Sequence, residues 1–139
     1  MIPLTMKRFC SLMLLTLGFM GCNSTYKPEA TYESILGEWY LYAAYLNGSD
    51  TDVLPTVKVF YPCIEGSLAE FNMDSSFRMI SDCEGGTVFG FYSFRHDTIF
   101  ATDTSGYTQI LVFRDGSLFQ EREIPVLGVA NLRFQKTNE

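Results

Sequence analysis

Histidine is nearly absent from this chain, and so are the motifs that would make an enzyme of it. His96 is the only histidine, and the four cysteines form neither a CxxC nor an HxxxH-type ligand spacing, so a zinc site built from Cys63, Cys83 and His96 has little to support it. No metal and no cofactor are expected. His96 beside Asp97 suits a polar turn instead. There is no nucleophile elbow, no phosphate-binding glycine loop and no Ser/His/Asp order. Asp82 and Glu84 flank Cys83, but Gly85-Gly86 reads as a turn, and nothing supplies the sugar-sized cleft that a carboxylate pair would need. The expectation is a protein that is not an enzyme. Charge runs, low-complexity tracts and internal repeats are also lacking, and no apolar run reaches the roughly 20 residues of a membrane-spanning helix.

What is present begins at the N-terminus. Lys7 and Arg8 form a basic head, Phe9 to Met20 an apolar run of about a dozen residues, and Gly21-Cys22 follows. This is the layout of a secretory signal, removed before the rest folds. Met6 directly precedes Lys7 and could itself start that signal. Two of the ten basic residues lie in the removed part, which leaves 8 against 16 acidic side chains, a balance of −8. Nucleic acid and anionic lipid are therefore poor partners, since phosphate binding relies on Lys and Arg.

Gly21-Cys22 at the end of LTLGFMGC resembles the lipobox of bacterial lipoproteins, in which a small residue precedes the cysteine that receives diacylglycerol. Phe19 and Met20 depart from the usual upstream residues in a way that resembles Bacteroides-type members. The resemblance implies lipidation, palmitate among the acyl chains, at Cys22, and two or three chains hold a protein stably at a membrane. Residues 1–21 are then the signal peptide and 22–33 a polar, proline-containing linker through NSTYKPEA. No acidic cluster follows the cysteine, so the resemblance implies the periplasmic face of the outer membrane rather than the cell surface. The sequons at Asn23 and Asn47 carry little meaning in a bacterium.

With Cys10 in the signal and Cys22 committed to lipid, Cys63 and Cys83 remain as an even pair in an oxidising compartment, where a disulfide is expected. SLAEFNMD and SSFRMISD read as a hairpin turning at Asp74-Ser75-Ser76, with both cysteines near its open end. Closing a loop of about 20 residues is worth roughly 3 kcal/mol on the chain-entropy model.

From Leu36 onward, short apolar runs alternate with turn residues every 8 to 12 positions, and no stretch has convincing helical periodicity. Strands are expected at about 36–46, 56–61, 67–73, 77–82, 87–95, 98–103, 107–114, 117–122 and 128–136. In the first, Trp39, Leu41, Ala43 and Tyr45 share one face. In the last, Ala130, Leu132 and Phe134 point in while Arg133 points out. Consecutive hairpins with a clean strand at each end predict an all-β fold: a small antiparallel up-and-down barrel of 8 to 9 strands over residues 34–139, closed first strand to last.

Gly37-Glu38-Trp39 is similar to the Gly-x-Trp of the lipocalins, and Cys63, EFNMDSSF, Cys83 and GFYSF together resemble the lipocalin-like domains of Bacteroides-type lipoproteins. FNMDSSF and CEGG bear a weaker likeness to the META-type envelope domain. The lipocalin resemblance implies a barrel closed near Trp39, with a basic side chain of the last strand across the indole, for which Arg133 is the candidate. It implies an open mouth at the other end, where a small apolar ligand would touch Tyr45 and Phe89. GTVFGFYSF is apolar on both faces, Phe89 and Phe91 on one and Tyr92 and Phe94 on the other, so one face fills the core and the other needs a partner, a covering loop or a ligand. The second reading is a protein-interaction lipoprotein: an inhibitor of a cell-wall hydrolase or protease, or an envelope assembly accessory. A large cavity would favour ligand binding, and a filled interior with an exposed loop patch would favour a protein partner.

Overall fold

The computed structural model describes residues 30–137. Eight antiparallel strands form a closed barrel in sequence order, β1 Gly37–Leu46, β2 Leu68–Phe71, β3 Ser76–Ser81, β4 Gly86–Arg95, β5 Thr98–Asp103, β6 Thr108–Arg114, β7 Ser117–Ile124 and β8 Gly128–Lys136. β8 pairs back onto β1 from Trp39–Lys136 to Leu46–Ala130, so neither strand is left as an edge. The expected up-and-down barrel is what forms. The signal peptide, Cys22 and linker residues 23–29 lie outside the described residues, and the linker ends earlier than the expected residue 33: Ala30 is already buried in the core and Tyr32–Ile35 form a one-turn helix of the domain.

Alternation along each strand sends one set of side chains inward. Trp39, Phe71, Phe77, Ile99, Leu111, Leu118 and Leu132 are all at most 2% exposed and form one core with Tyr92, Phe113 and Phe134. The Asp115-Gly116 turn between β6 and β7 has positive φ at both residues, 50° and 75°, which suits a two-residue hairpin.

Two expectations are corrected. The ninth strand, at 56–61, is instead the helix α2 Leu54–Phe60. Pro55 sits in its first turn, the Asp52 carboxylate accepts the Leu54 N–H at 2.9 Å, and Leu54 and Val57 bury one face at helical spacing. These outweigh the β preference of Val57, Val59 and Phe60. Second, a register irregularity between Leu41 and Ala43 breaks the alternation of β1. Beyond it Ala44 and Leu46 join the core, and Tyr45 lies on the outer face with its cross-strand partner Asn131.

Candidate functional site

The Trp39 end is closed from the sequence outward. Thr31 caps the one-turn helix α1 Tyr32–Ile35, its hydroxyl accepting from Ser34 N–H while the Ser34 hydroxyl answers the Thr31 N–H, a reciprocal capping box. Ile35 is thereby driven fully into the barrel, and its carbonyl accepts the Trp39 indole N–H at 2.8 Å. Gly37, between them, takes φ +107°, and a Cβ there would lie 3.2 Å from Lys136 Cε. The glycine of Gly-x-Trp thus lets the chain turn from helix into strand beneath the lysine stem.

The cation over the Trp39 ring is Lys136, 5.8 Å from its centroid, and not Arg133. Register explains the correction: Lys136 is the cross-strand partner of Trp39, whereas Arg133 pairs with Ala43 and faces outward. There its guanidinium lies 5.3 Å from the rings of both Tyr42 and Phe119, and its Nε–H donates to the Ser117 hydroxyl at 3.2 Å. Tyr92, at the same end of the barrel as Trp39, donates its hydroxyl to the Asn72 carbonyl at 2.8 Å. Burial, and then the charges of Tyr32 and Asp74, raise its pKa.

The opposite end is covered too. Leu54 and Val57 of α2 and Ile64 pack into the core, and the Tyr61 hydroxyl reaches across to donate to the Pro125 carbonyl at 2.8 Å. The turns Pro62–Ile64 and Asp82–Glu84 are tied together by the expected Cys63–Cys83 disulfide, with Cα atoms 4.9 Å apart. The pair lies at the open end of the β2–β3 hairpin.

With both ends covered, a gap of about 20 Å³ lies among Ser67, Met79, Gln109, Gln120, Arg122 and Leu132. That is room for about one water, not for a small apolar ligand. Tyr45 and Phe89 do not share a mouth. Each lines a separate groove on the outside.

One groove, about 540 Å³, runs over β3 and β4, where Phe89 and Phe91 flank Arg78 and Glu70. Arg78 bridges Glu70 at 2.6 Å and Glu38 at 3.9 Å. Phe89 and Phe91 are 57% and 69% exposed, the outward set that alternation demanded once Tyr92 and Phe94 turned in. The apolar surface continues sideways: Phe91 pairs with Thr102, and diagonally adjacent Phe100 sits directly opposite Ile110. Phe100, Tyr107 and Ile110 escaped the reading of the sequence. TIFATD and TQILVF are apolar at both parities, the signal that had marked GTVFGFYSF.

The second groove, about 670 Å³, follows the boundary of β6 and β7, with Tyr45, Tyr107, Ile110, Val112, Arg114 and Phe119 among its walls. Among the described residues there is no cluster of His, Cys, Asp and Glu able to hold a metal ion. Among the described residues no helix is long and apolar enough to cross a membrane. Comparison of the chain with family models, with characterised proteins and with solved structures finds no match.

Proposed function

We propose that this chain is a lipid-anchored envelope protein that works, without catalysis, as a protein-interaction module through the outside of its barrel. The observation that carries this reading is the distribution of apolar surface. The interior is packed with buried aromatic and aliphatic side chains and covered at both ends, while Phe89, Phe91, Phe100 and Ile110 lie exposed on neighbouring positions of β4 to β6, with Tyr107 just before β6 beside Ile110. Aromatic surface held rigid on a barrel wall is what interface cores are made of. Between the two readings of the sequence, small-ligand binding and partner binding, this favours the second: an inhibitor or an assembly accessory.

The anchor is Cys22, with the domain facing the periplasm from the outer membrane. This part rests on the basic head, the short apolar run and Gly21-Cys22. A covalent tether leaves the barrel face free to meet a protein neighbour at raised local concentration.

A photo-cross-linking residue at position 91 tests the reading in cells. A discrete adduct with an envelope protein is expected from position 91 and none from Gln135, an exposed residue of β8. Equal adducts from both positions would count against it. So would a small apolar molecule found by native mass spectrometry on protein purified from its own membrane.

A further inference from the structure

The β6–β7 hairpin is the one hairpin of the barrel whose two strands part early. Its ladder consists of Arg114–Ser117, Phe113–Leu118 and Val112–Phe119. Yet β6 stays paired with β5 as far as Thr108, and β7 stays paired with β8 as far as Ile124. Each strand therefore keeps regular extended geometry on one side while its other side, from Thr108 to Leu111 and from Gln120 to Ile124, has no strand partner among the described residues. Between them lies the 670 Å³ groove.

The backbone groups that face this seam can be assigned. Phe113 N–H donates to the Asp97 carbonyl and Asp103 N–H to the Tyr107 carbonyl, so the odd-numbered residues of β6 turn their backbone groups to the β5 side. Thr108 and Ile110 therefore present N–H and C=O to the seam. Across it, the two-residue turn makes Arg114 and Ser117 the closing hydrogen-bonded pair, which leaves Glu121 and Glu123 facing the seam and Gln120 and Arg122 facing β8. On the inner side the gap is bridged by side chains in place of backbone. Gln120 Nε2–H donates to Gln109 Oε1 at 2.7 Å, and both residues are 7% exposed. The barrel wall is thus sealed inward by two amides and left unzipped outward.

We propose that this seam receives an extended segment of the partner protein as an added strand, four to five residues long. The inference rests on the interaction reading above and names the chemistry of the partner. Two unpaired strand edges, half-exposed apolar side chains at alternate positions and an open groove are the elements of strand addition. The charges give the segment its polarity. Arg114 and Arg133 lie 5.9 and 5.3 Å from the Phe119 ring, and neither forms an ion pair among the described residues. Glu121 and Glu123 lie further along β7 toward the other end. The fitting segment alternates apolar side chains, carries an acidic residue over Arg114 and Arg133, and avoids one over Glu121.

The test uses the full-length chain in detergent, residue-resolved amide exchange, and a phage-displayed library of random ten-residue peptides as the probe. In the free protein the amides of Ile110 and Glu121 should exchange at least about tenfold faster than those of Leu111 and Gln120, which face paired strands. Peptides enriched on the protein should slow exchange at Ile110 and Glu121, and N-methylation at alternate residues should weaken them about tenfold or more, since it removes ladder donors. Arg114→Glu should weaken the acidic ones. Slow exchange at Ile110 and Glu121 in the free protein would overturn the proposal, as would failure to enrich any peptide over a blank surface. Peptides that protect the Phe89–Phe91 face and tolerate N-methylation would remove the seam while leaving the interaction reading standing; a co-purifying small molecule would remove that reading itself.

Discussion

Gly90 lies where β4 leaves no room for a side chain against β5, and replacing it tests whether the outer face depends on that close approach. A Cβ at Gly90 would fall 2.0 Å from the Thr102 carbonyl oxygen, 2.7 Å from Asp103 Cα and 2.7 Å from Phe77 Cε1. Two of these three are backbone, so no rotamer change relieves them. The strands must separate by at least about 1 Å, or Phe77 must leave its place in the core. Overpacking of this kind costs typically 1 to 3 kcal/mol, and weakening the Gly90–Asp103 pairing adds roughly 0.5 to 1.5 kcal/mol. Against this, alanine recovers about 0.4 to 1 kcal/mol by restricting the unfolded chain. Gly90→Ala should therefore destabilise by about 0.5 to 4 kcal/mol, centred near 2, which is a fall of roughly 10 °C in Tm at the centre of that range. Gly116→Ala is the control, because Gly116 has φ +75° and open space around it. Its cost is conformational alone, about 1 to 2 kcal/mol. Urea unfolding of both variants measures the difference. If Gly90→Ala unfolds within about 0.5 kcal/mol of the parent, the β4–β5 approach is looser than described and the rigid face argument loses its support.

Removing the disulfide by Cys63→Ala with Cys83→Ala should cost about 3 kcal/mol in urea unfolding, and thiol alkylation of the unreduced, denatured protein should label neither cysteine. Stoichiometric labelling of both would refute the bond. Asp74 and Asp103 are held below the usual carboxylate value of 3.8, first by the hydroxyls of Ser76 and Ser105 and then by backbone N–H groups. A depressed folded pKa means that their stabilisation is complete above about pH 4 and is lost as pH falls through the folded values. Carboxyl-carbon titration by NMR should place both midpoints under 3.8, and a midpoint at or above it would show that these turns do not favour the charged form. Cys22→Ser should move the protein from the membrane to the soluble periplasmic fraction; retention in the membrane would mean a different tether.

Strand order, barrel closure and the disulfide were legible because each has a short-range signature: period-two alternation, turn chemistry such as Asp115-Gly116, and an even cysteine pair. The errors arose where tertiary geometry overrides those signatures. Val57, Val59 and Phe60 carry strand propensity, and only Pro55, the Asp52 carboxylate and the core beneath Leu54 and Val57 turn them into a helix. The irregularity after Leu41 has no sequence marker, yet it moves Tyr45 from the inside to the outside. Arg133 and Lys136 are both basic residues of the last strand, and which one meets Trp39 is decided by register, which a single strand does not encode. The β6–β7 seam was invisible for a related reason. TQILVF and SLFQEREI both read as complete strands, and each is one, but on only one of its two sides.

An eight-stranded barrel has an interior just wide enough to be filled by its own side chains or to hold one small ligand, and the choice between these is made by inward residue size. Here six aromatic side chains, Trp39, Phe71, Phe77, Tyr92, Phe113 and Phe134, are buried inside, and Phe71 with Tyr92 and Trp39 with Phe113 meet edge to face at 5.0 and 6.2 Å. With Ile35 driven in from one end and Leu54 and Val57 from the other, the space a ligand would need is occupied by the chain itself. The proposed interaction therefore falls to the outward faces of the strands. Those faces carry phenylalanines on β4 and β5 and, beside them, a hairpin that opens before its strands end. An unpaired backbone edge next to exposed aromatic surface is an aggregation hazard in a free protein. A short seam bridged beneath by Gln109 and Gln120, with Arg114 above it and Glu121 and Glu123 along it, limits that hazard while keeping the edge available to a matched strand.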